Sequence, residues 1–148
     1  MPNLRTPIRA RKAPSLKERI RIKIARSKSS VFLPREIIRD LKAGERQVLR
    51  ALKDLTNDRV LTKLGKGVYA KLEDDPFNPG KRQLAIGFAD AARQALDKRR
   101  VKYTESRVAR EYNARTTTQV QSNAVLAING RTSLRLSYEG MELIYERA

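Results

Sequence analysis

Residues 45–71 read ERQVLRALKDLTNDRVLTKLGKGVYAK, and the fold turns on this stretch. Val48, Ala51, Leu52 and Leu55 recur at helical spacing and form one apolar stripe, with Arg46, Gln47, Arg50, Lys53 and Asp54 on the opposite face. Thr56-Asn57-Asp58 then ends the period with side chains that bond their own backbone. Residues 60–64 and 67–70 are rich in strand formers, and Gly65-Lys66-Gly67 joins them with glycines that accept positive φ. A helix with a cation-bearing face followed at once by a basic-tipped hairpin is the pattern of a winged helix-turn-helix.

Upstream, Ser15-Leu16-Lys17-Glu18 is an S-x-x-E capping box, which predicts a helix starting at Leu16 with Leu16, Ile20 and Ile24 inward. Lys17, Arg21, Lys23 and Arg26 remain outward. Val31-Phe32-Leu33 reads as a short extended piece able to pair with the edge of the later hairpin. Pro34 suits the first turn of a second helix, where its missing N–H costs nothing, with Ile37, Ile38 and Leu41 inward and Ala43-Gly44 ending it. Helix, strand, helix, turn, helix and hairpin is the winged-helix order. Before all this, residues 1–14 hold three prolines, four cations and no apolar period, which predicts a disordered arm. Two readings of its cations, Arg5 and Arg9 among them, stand: contact with a phosphate backbone or minor groove, and a solvated tail.

Downstream, residues 72–80 (LEDDPFNPG) break the composition and read as a linker, since three adjacent carboxylates, Glu73-Asp74-Asp75, cannot all face one ion. From Arg82, Ala85, Phe88, Ala92, Ala95 and Leu96 make a small-residue helical stripe, with Lys98-Arg99-Arg100 at its C-terminal end. Residues 101–103 read as a brief strand, and Thr104 as the cap of a helix over 105–112. Asn129-Gly130 predicts a type I′ hairpin and Glu139-Gly140 a second two-residue turn. Together these turns predict a three-stranded antiparallel meander with Val125, Ala127, Leu134, Leu136, Tyr138, Met141, Leu143 and Tyr145 on one face, covered by the helix at 82–98. A register slip of one would invert both faces. The expected fold class is therefore α+β: arm 1–14, winged helix-turn-helix 15–72, linker 73–81, and a small α+β unit 82–148 ending in the meander.

The 148 residues carry 33 Lys+Arg against 16 Asp+Glu, a formal net charge of +17 and a pI near 10.8. Residues 1–30 hold ten cations against one acid, Glu18, so the basic end is the N-terminal one. Such a field favours polyanions, double-stranded DNA first among them. No apolar run approaches the length of a membrane span, and no signal-peptide pattern opens the chain. Cys and His are absent, which removes disulfides, thiolate and imidazole chemistry and zinc fingers, and fits a cytoplasmic protein. No catalytic group, metal set or cofactor is expected; Gly65-Lys66-Gly67 lacks the spacing of a phosphate-cradling loop. The polar run 116–119 beside arginines reads as an ordinary loop, with phosphate binding as the competing reading.

Arg46, Gln47 and Arg50 are the expected base readers, since Arg pairs with guanine and Gln with adenine in the major groove. Lys53 extends the same face, Lys66 is the expected wing tip, and Arg21 with the arm's Arg5 and Arg9 are expected at phosphates. A solvated helix face and a plain hairpin loop are the competing readings. A nucleoid-type protein would bind with little sequence preference. An RNA-binding module would need exposed aromatics, and the few here fall mostly on apolar stripes.

SLKERIRIKIARSKSSVFLPREI (15–37) with RVLTKLGKGVYAKL (59–72) resembles the N-terminal winged helix of AbiEi-like antitoxins of type IV, abortive-infection toxin–antitoxin systems. AREYNARTTTQVQSNAVLAINGR (109–131) resembles that family's second region, where a helix leads to an S/T-T-Q stretch and then strands. The resemblance implies a bacterial repressor that binds operator repeats and autoregulates. It also implies a C-terminal unit that counters a nucleotidyltransferase-like toxin without a stable complex. Arg107, Arg110 and Arg115 are the charged group expected to serve that second activity. The C-terminal region here is shorter than in full-length members.

Overall fold

The computed structural model describes residues 13–105, 124–128, 130 and 132–147. The protein is a mixed α+β structure in which, among the described residues, four helices accompany two four-stranded sheets. The elements are α1 (Leu16–Arg26), β1 (Val31–Phe32), α2 (Pro34–Leu41), α3 (Glu45–Asn57), β2 (Leu61–Gly65), β3 (Val68–Asp74), β4 (Arg82–Leu84), α4 (Phe88–Lys98), β5 (Tyr103–Glu105), β6 (Ala124–Ile128), β7 (Ser137–Tyr138) and β8 (Met141–Arg147). Among the described residues no helix is long and apolar enough to cross a membrane.

Local chemistry sets the helix ends. The Ser15 hydroxyl accepts the Glu18 N–H at 3.2 Å and starts α1 at Leu16, as the capping box predicts, although the Glu18 carboxylate turns to Arg21 instead of reaching back. Pro34 opens α2, and the Glu36 carboxylate accepts the Leu33 N–H at 2.9 Å. Helices α2, α3 and α4 each end in a residue with positive φ, namely Lys42 (52°), Arg59 (61°) and Arg100 (59°). At each end the next amide closes a six-to-one bond to a carbonyl five residues back: Ala43 to Ile38, Val60 to Leu55, Val101 to Leu96. Glycine is the usual residue at such a stop; a cation there complements the negative end of the helix.

In the first sheet β3 pairs antiparallel with β2 on one edge, and with β1 and then β4 on the other. Lys63 opposes Tyr69 and Gly65 opposes Val68, so Leu64 is an extra, bulged residue and the turn narrows to Lys66-Gly67, with Gly67 at φ 69°. Strand alternation sends Phe32, Leu61 and Tyr69 to one face and Val31, Leu64, Val68 and Ala70 to the other. On the first face, Ile20, Ile24, Ile37, Val48, Ala51, Leu52 and Leu55 of the three helices complete one core. The second face meets Phe88, Ala91, Ala92, Ala95 and Leu96 of α4. The alanines let α4 approach closely, so it lies between the two sheets, also touching Ala124, Leu126 and Leu143.

Several expectations require correction. The stretch expected to link two units, 73–81, is the end of β3 and the loop of a hairpin: Leu72, Glu73 and Asp74 pair with Leu84, Gln83 and Arg82. Packing continues across that stretch, since one core takes side chains from both halves of the chain. The helix expected from Arg82 begins at Phe88, because residues 82–84 complete the first sheet. Thr104 caps no helix; it lies in β5, opposite Ala127, and the rest of the helix expected at 105–112 falls outside the described residues.

The expected meander is half present. Glu139 and Gly140 take positive φ (46° and 84°) and turn Tyr138 against Met141, and the Leu143 N–H reaches the Leu136 carbonyl at 2.9 Å. However, β6 joins the other edge of β8 in parallel, Val125 opposite Ile144, so the second sheet runs β5-β6-β8-β7. The β6 parity is also inverted: Ala124 and Leu126 enter the core and Val125 does not. The reason is tertiary. Residues 132–136, which the meander would have paired with β6, lie against β8 and the β2–β3 hairpin instead. Asn129 and Arg131, flanking the first expected turn, are outside the described residues.

Candidate nucleic-acid interface

Helix α3 buries Val48, Ala51, Leu52 and Leu55, and this fixes what its other side presents. At about 100° per residue, positions 46, 50 and 53 fall within one narrow arc diametrically opposite that stripe, whereas 47 lies about 60–120° from its members. Arg46, Gln47, Arg50 and Lys53 are all exposed. Among the described residues none of the three cations has an ion-pair partner, although Glu45, Asp54 and Asp58 lie on the same helix.

The acids are occupied elsewhere or set aside. Asp58 holds Lys17 at 2.6 Å, which raises the Lys17 pKa chiefly through that hydrogen bond. Leu16 and Lys17 at the start of α1, with Arg46, Gln47, Arg50 and Asp54 of α3, line a shallow open depression. The Gln47 amide folds back towards the helix start, its Oε1 3.4 Å from where a Cβ on Gly44 would stand. The structure thus divides the expected readers: Arg46, Arg50 and Lys53 form an outward row, and Gln47 flanks it.

Of the other expected residues, Lys66 is exposed in the β2–β3 turn. Arg21 is not a free cation. Its guanidinium grips both oxygens of Glu18 one helical turn away, and this contact is the first cause of the lowered Glu18 pKa and raised Arg21 pKa. Arg5, Arg9, Arg107, Arg110 and Arg115 lie outside the described residues.

Two cationic residues that the sequence did not single out reach the β2–β3 turn, Arg99 with its guanidinium and Arg135 with its backbone. A Cβ placed on Gly67 would lie 3.8 Å from a terminal nitrogen of Arg99, at the end of α4. A Cβ on Gly65 would collide with the Arg135 carbonyl oxygen and stand 3.1 Å from the Leu136 side chain. The only sequence signal was the Lys98-Arg99-Arg100 run, which read as a complement to the helix dipole. Lys98 does act structurally: it contacts both oxygens of Glu36 (2.9 and 3.1 Å) and stands 5.3 Å above the Phe32 ring.

Chemically, the arrangement offers exposed guanidinium forks and ammonium groups, suited to phosphate oxygens and base edges. The acidic stretch is engaged in the β3–β4 hairpin, with Asp74 on Arg82 (2.8 Å) and Asp75 accepting from Phe77 N–H and Asn78 (2.9 Å each). Among the described residues no group of three His, Cys, Asp or Glu is placed to hold a metal ion. Comparison with protein-family models, with curated proteins and with solved structures finds no match for the chain.

Proposed function

We propose that this protein is a sequence-specific DNA-binding transcriptional repressor of winged helix-turn-helix type, acting by binding rather than catalysis in the bacterial cytoplasm. In this reading α3 is the recognition helix and β2–β3 the wing. The observation that carries it is the outward row Arg46–Arg50–Lys53, opposite the buried stripe and without carboxylate partners among the described residues. A row held only for solubility would tolerate pairing with the acids of its own helix. The net charge of +17 supplies the sequence-independent attraction.

The resemblance to AbiEi-like antitoxins extends the proposal. The chain would repress its own operon at operator repeats, and its second half would oppose a nucleotidyltransferase-like toxin. Growth rescue by the full chain carrying Arg50→Ala, lost on substituting Arg107, Arg110 and Arg115, tests that extension; no rescue by either form leaves a repressor alone.

The test of DNA reading is binding to the duplex upstream of its own gene and to a scrambled duplex, at two salt concentrations. A bidentate base contact discriminates by about 1–3 kcal/mol. Arg46→Ala or Arg50→Ala should therefore narrow the gap between the two duplexes by about tenfold or more. Lys66→Ala should weaken both together. If every substitution weakens both duplexes equally, α3 reads no bases and a nucleoid-type binder replaces this reading.

A further inference from the structure

Three cationic residues from distant parts of the chain meet at one turn, Arg99 through its guanidinium and Arg135 through its backbone. Lys66 forms the turn and is exposed. The Arg99 guanidinium lies against Gly67 on one side, and the Arg135 backbone lies against Gly65 on the other. Leu134 and Leu136 are buried, whereas Arg135 between them is exposed, with its charge within reach of the Tyr145 phenol.

The setting is rigid. The Arg99 N–H is bonded to the Ala95 carbonyl at 2.9 Å, and the Lys98–Glu36 pair fastens the end of α4 to the start of α2. Among the described residues no carboxylate pairs with Lys66, Arg99 or Arg135. Cationic residues brought to one turn without an acid raise the local positive potential, which a polyanion relieves. Lys98, one residue away, has such an acid.

We propose that Lys66, Arg99 and Arg135 form a single clamp for the sugar–phosphate backbone of a DNA duplex, so that the second half of the chain takes a direct part in DNA binding. The proposal rests on the DNA-binding reading above, but not on base recognition by α3. The wing tip is then one third of a composite phosphate site, whose other members come from the end of α4 and the segment before β7.

The experiment measures binding of the full chain to a random-sequence 24-base-pair duplex across a salt series. The variants are Lys66→Gln, Arg99→Gln, Arg135→Gln, Arg99→Lys, and Lys81→Gln as a control of equal charge change on the distant β3–β4 loop. Each clamp substitution should lower affinity several-fold and reduce the log–log salt slope by about 0.9, the value of one neutralised phosphate. Arg99→Lys should restore the slope, and Lys81→Gln should leave it unchanged. An unchanged slope in Arg99→Gln and Arg135→Gln, or an equal fall in Lys81→Gln, overturns the clamp. Loss of operator preference with clamp effects intact defeats only the base-reading proposal. No duplex binding at low salt defeats both.

Discussion

The two faces of the β1–β2–β3 sheet are covered by different kinds of structure. One face carries Phe32, Leu61 and Tyr69 under α1, α2 and α3, all within the first 69 residues of the chain. The other carries Val31, Leu64, Val68 and Ala70, and its cover is α4 with β6, β8 and residues 134–136, up to Leu143. The first core assembles from neighbours in sequence; the second closes loops of many tens of residues. The same short sheet therefore serves a locally encoded helical unit and a cover whose pairing is set by long-range contacts. An alternating pattern shows that a strand has two faces, but not that both are apolar.

The largest expected effects come from opening either core. Leu52 and Leu96 are fully buried, one on each side of the sheet, and truncation of either to Ala should lose about 2–5 kcal/mol in urea unfolding. If the sheet couples the two cores, both variants shift one common transition, and hydrogen exchange accelerates together at the Leu52 and Leu126 amides. Separate transitions, with early cleavage in residues 75–80, would restore two independent units.

A smaller effect should follow at the seam. Gly65→Ala places a Cβ into the Arg135 carbonyl, a backbone atom that cannot rotate away, and should destabilise by about 1–3 kcal/mol. Chemical-shift changes confined to β2–β3 and 134–136 would locate the strain; an unchanged midpoint would show that the seam yields freely.

The most modest effect is in pH, and it distinguishes the cores by their tyrosines. Burial pushes the phenols of Tyr69 in the first core and Tyr145 beside the second above the usual value. Below pH 10 these phenols are neutral folded or unfolded; above it the unfolded chain ionises first, so stability falls as pH rises. Asp40 and Glu18 are held low by Lys23 and Arg21, so their contribution exists above the usual carboxylate value and fades as pH falls through the folded one. Asp40 is exposed and Glu18 half-exposed, which keeps that acid limb shallow. The thermal midpoint should accordingly drop more steeply above pH 10 than below pH 4. Tyr145→Phe should soften the alkaline limb while losing about 1 kcal/mol with the 2.7 Å bond to the Leu134 carbonyl. An alkaline limb identical in Tyr69→Phe, Tyr145→Phe and the parent would refute the assignment.

What could be read from sequence follows the same division. The Ser15 cap, the Pro34 start, the Val48–Leu55 stripe and the short strand at Val31 all express chemistry within a few residues, and each is found. The β6 register was not legible, because its parity is decided by β8, reached across twelve intervening residues, and not by its own alternation. The Pro- and Gly-rich residues 75–80 look alike whether they link domains or cap a hairpin, since both need turn residues. Gly65 was read as a turn glycine, whereas its need is space for another backbone. In the candidate interface, Arg46, Arg50 and Lys53 follow from one helix's geometry. Arg99 and Arg135 come beside the β2–β3 turn only once α4 and residues 132–136 are folded against the hairpin.

The doubly buried sheet has a consequence during synthesis. The first core is complete once β3 has emerged, but the cover over Val31, Leu64, Val68 and Ala70 starts only with α4 and is finished only by β8, some seventy residues later. At roughly 5–20 residues per second that interval lasts about 4–14 s. During it the nascent chain carries a small apolar sheet face that is bare at first and then only partly covered, available to a second chain or a chaperone. The second half of the polypeptide therefore also ends that exposure, and chains halted between residues 75 and 140 should aggregate through this face.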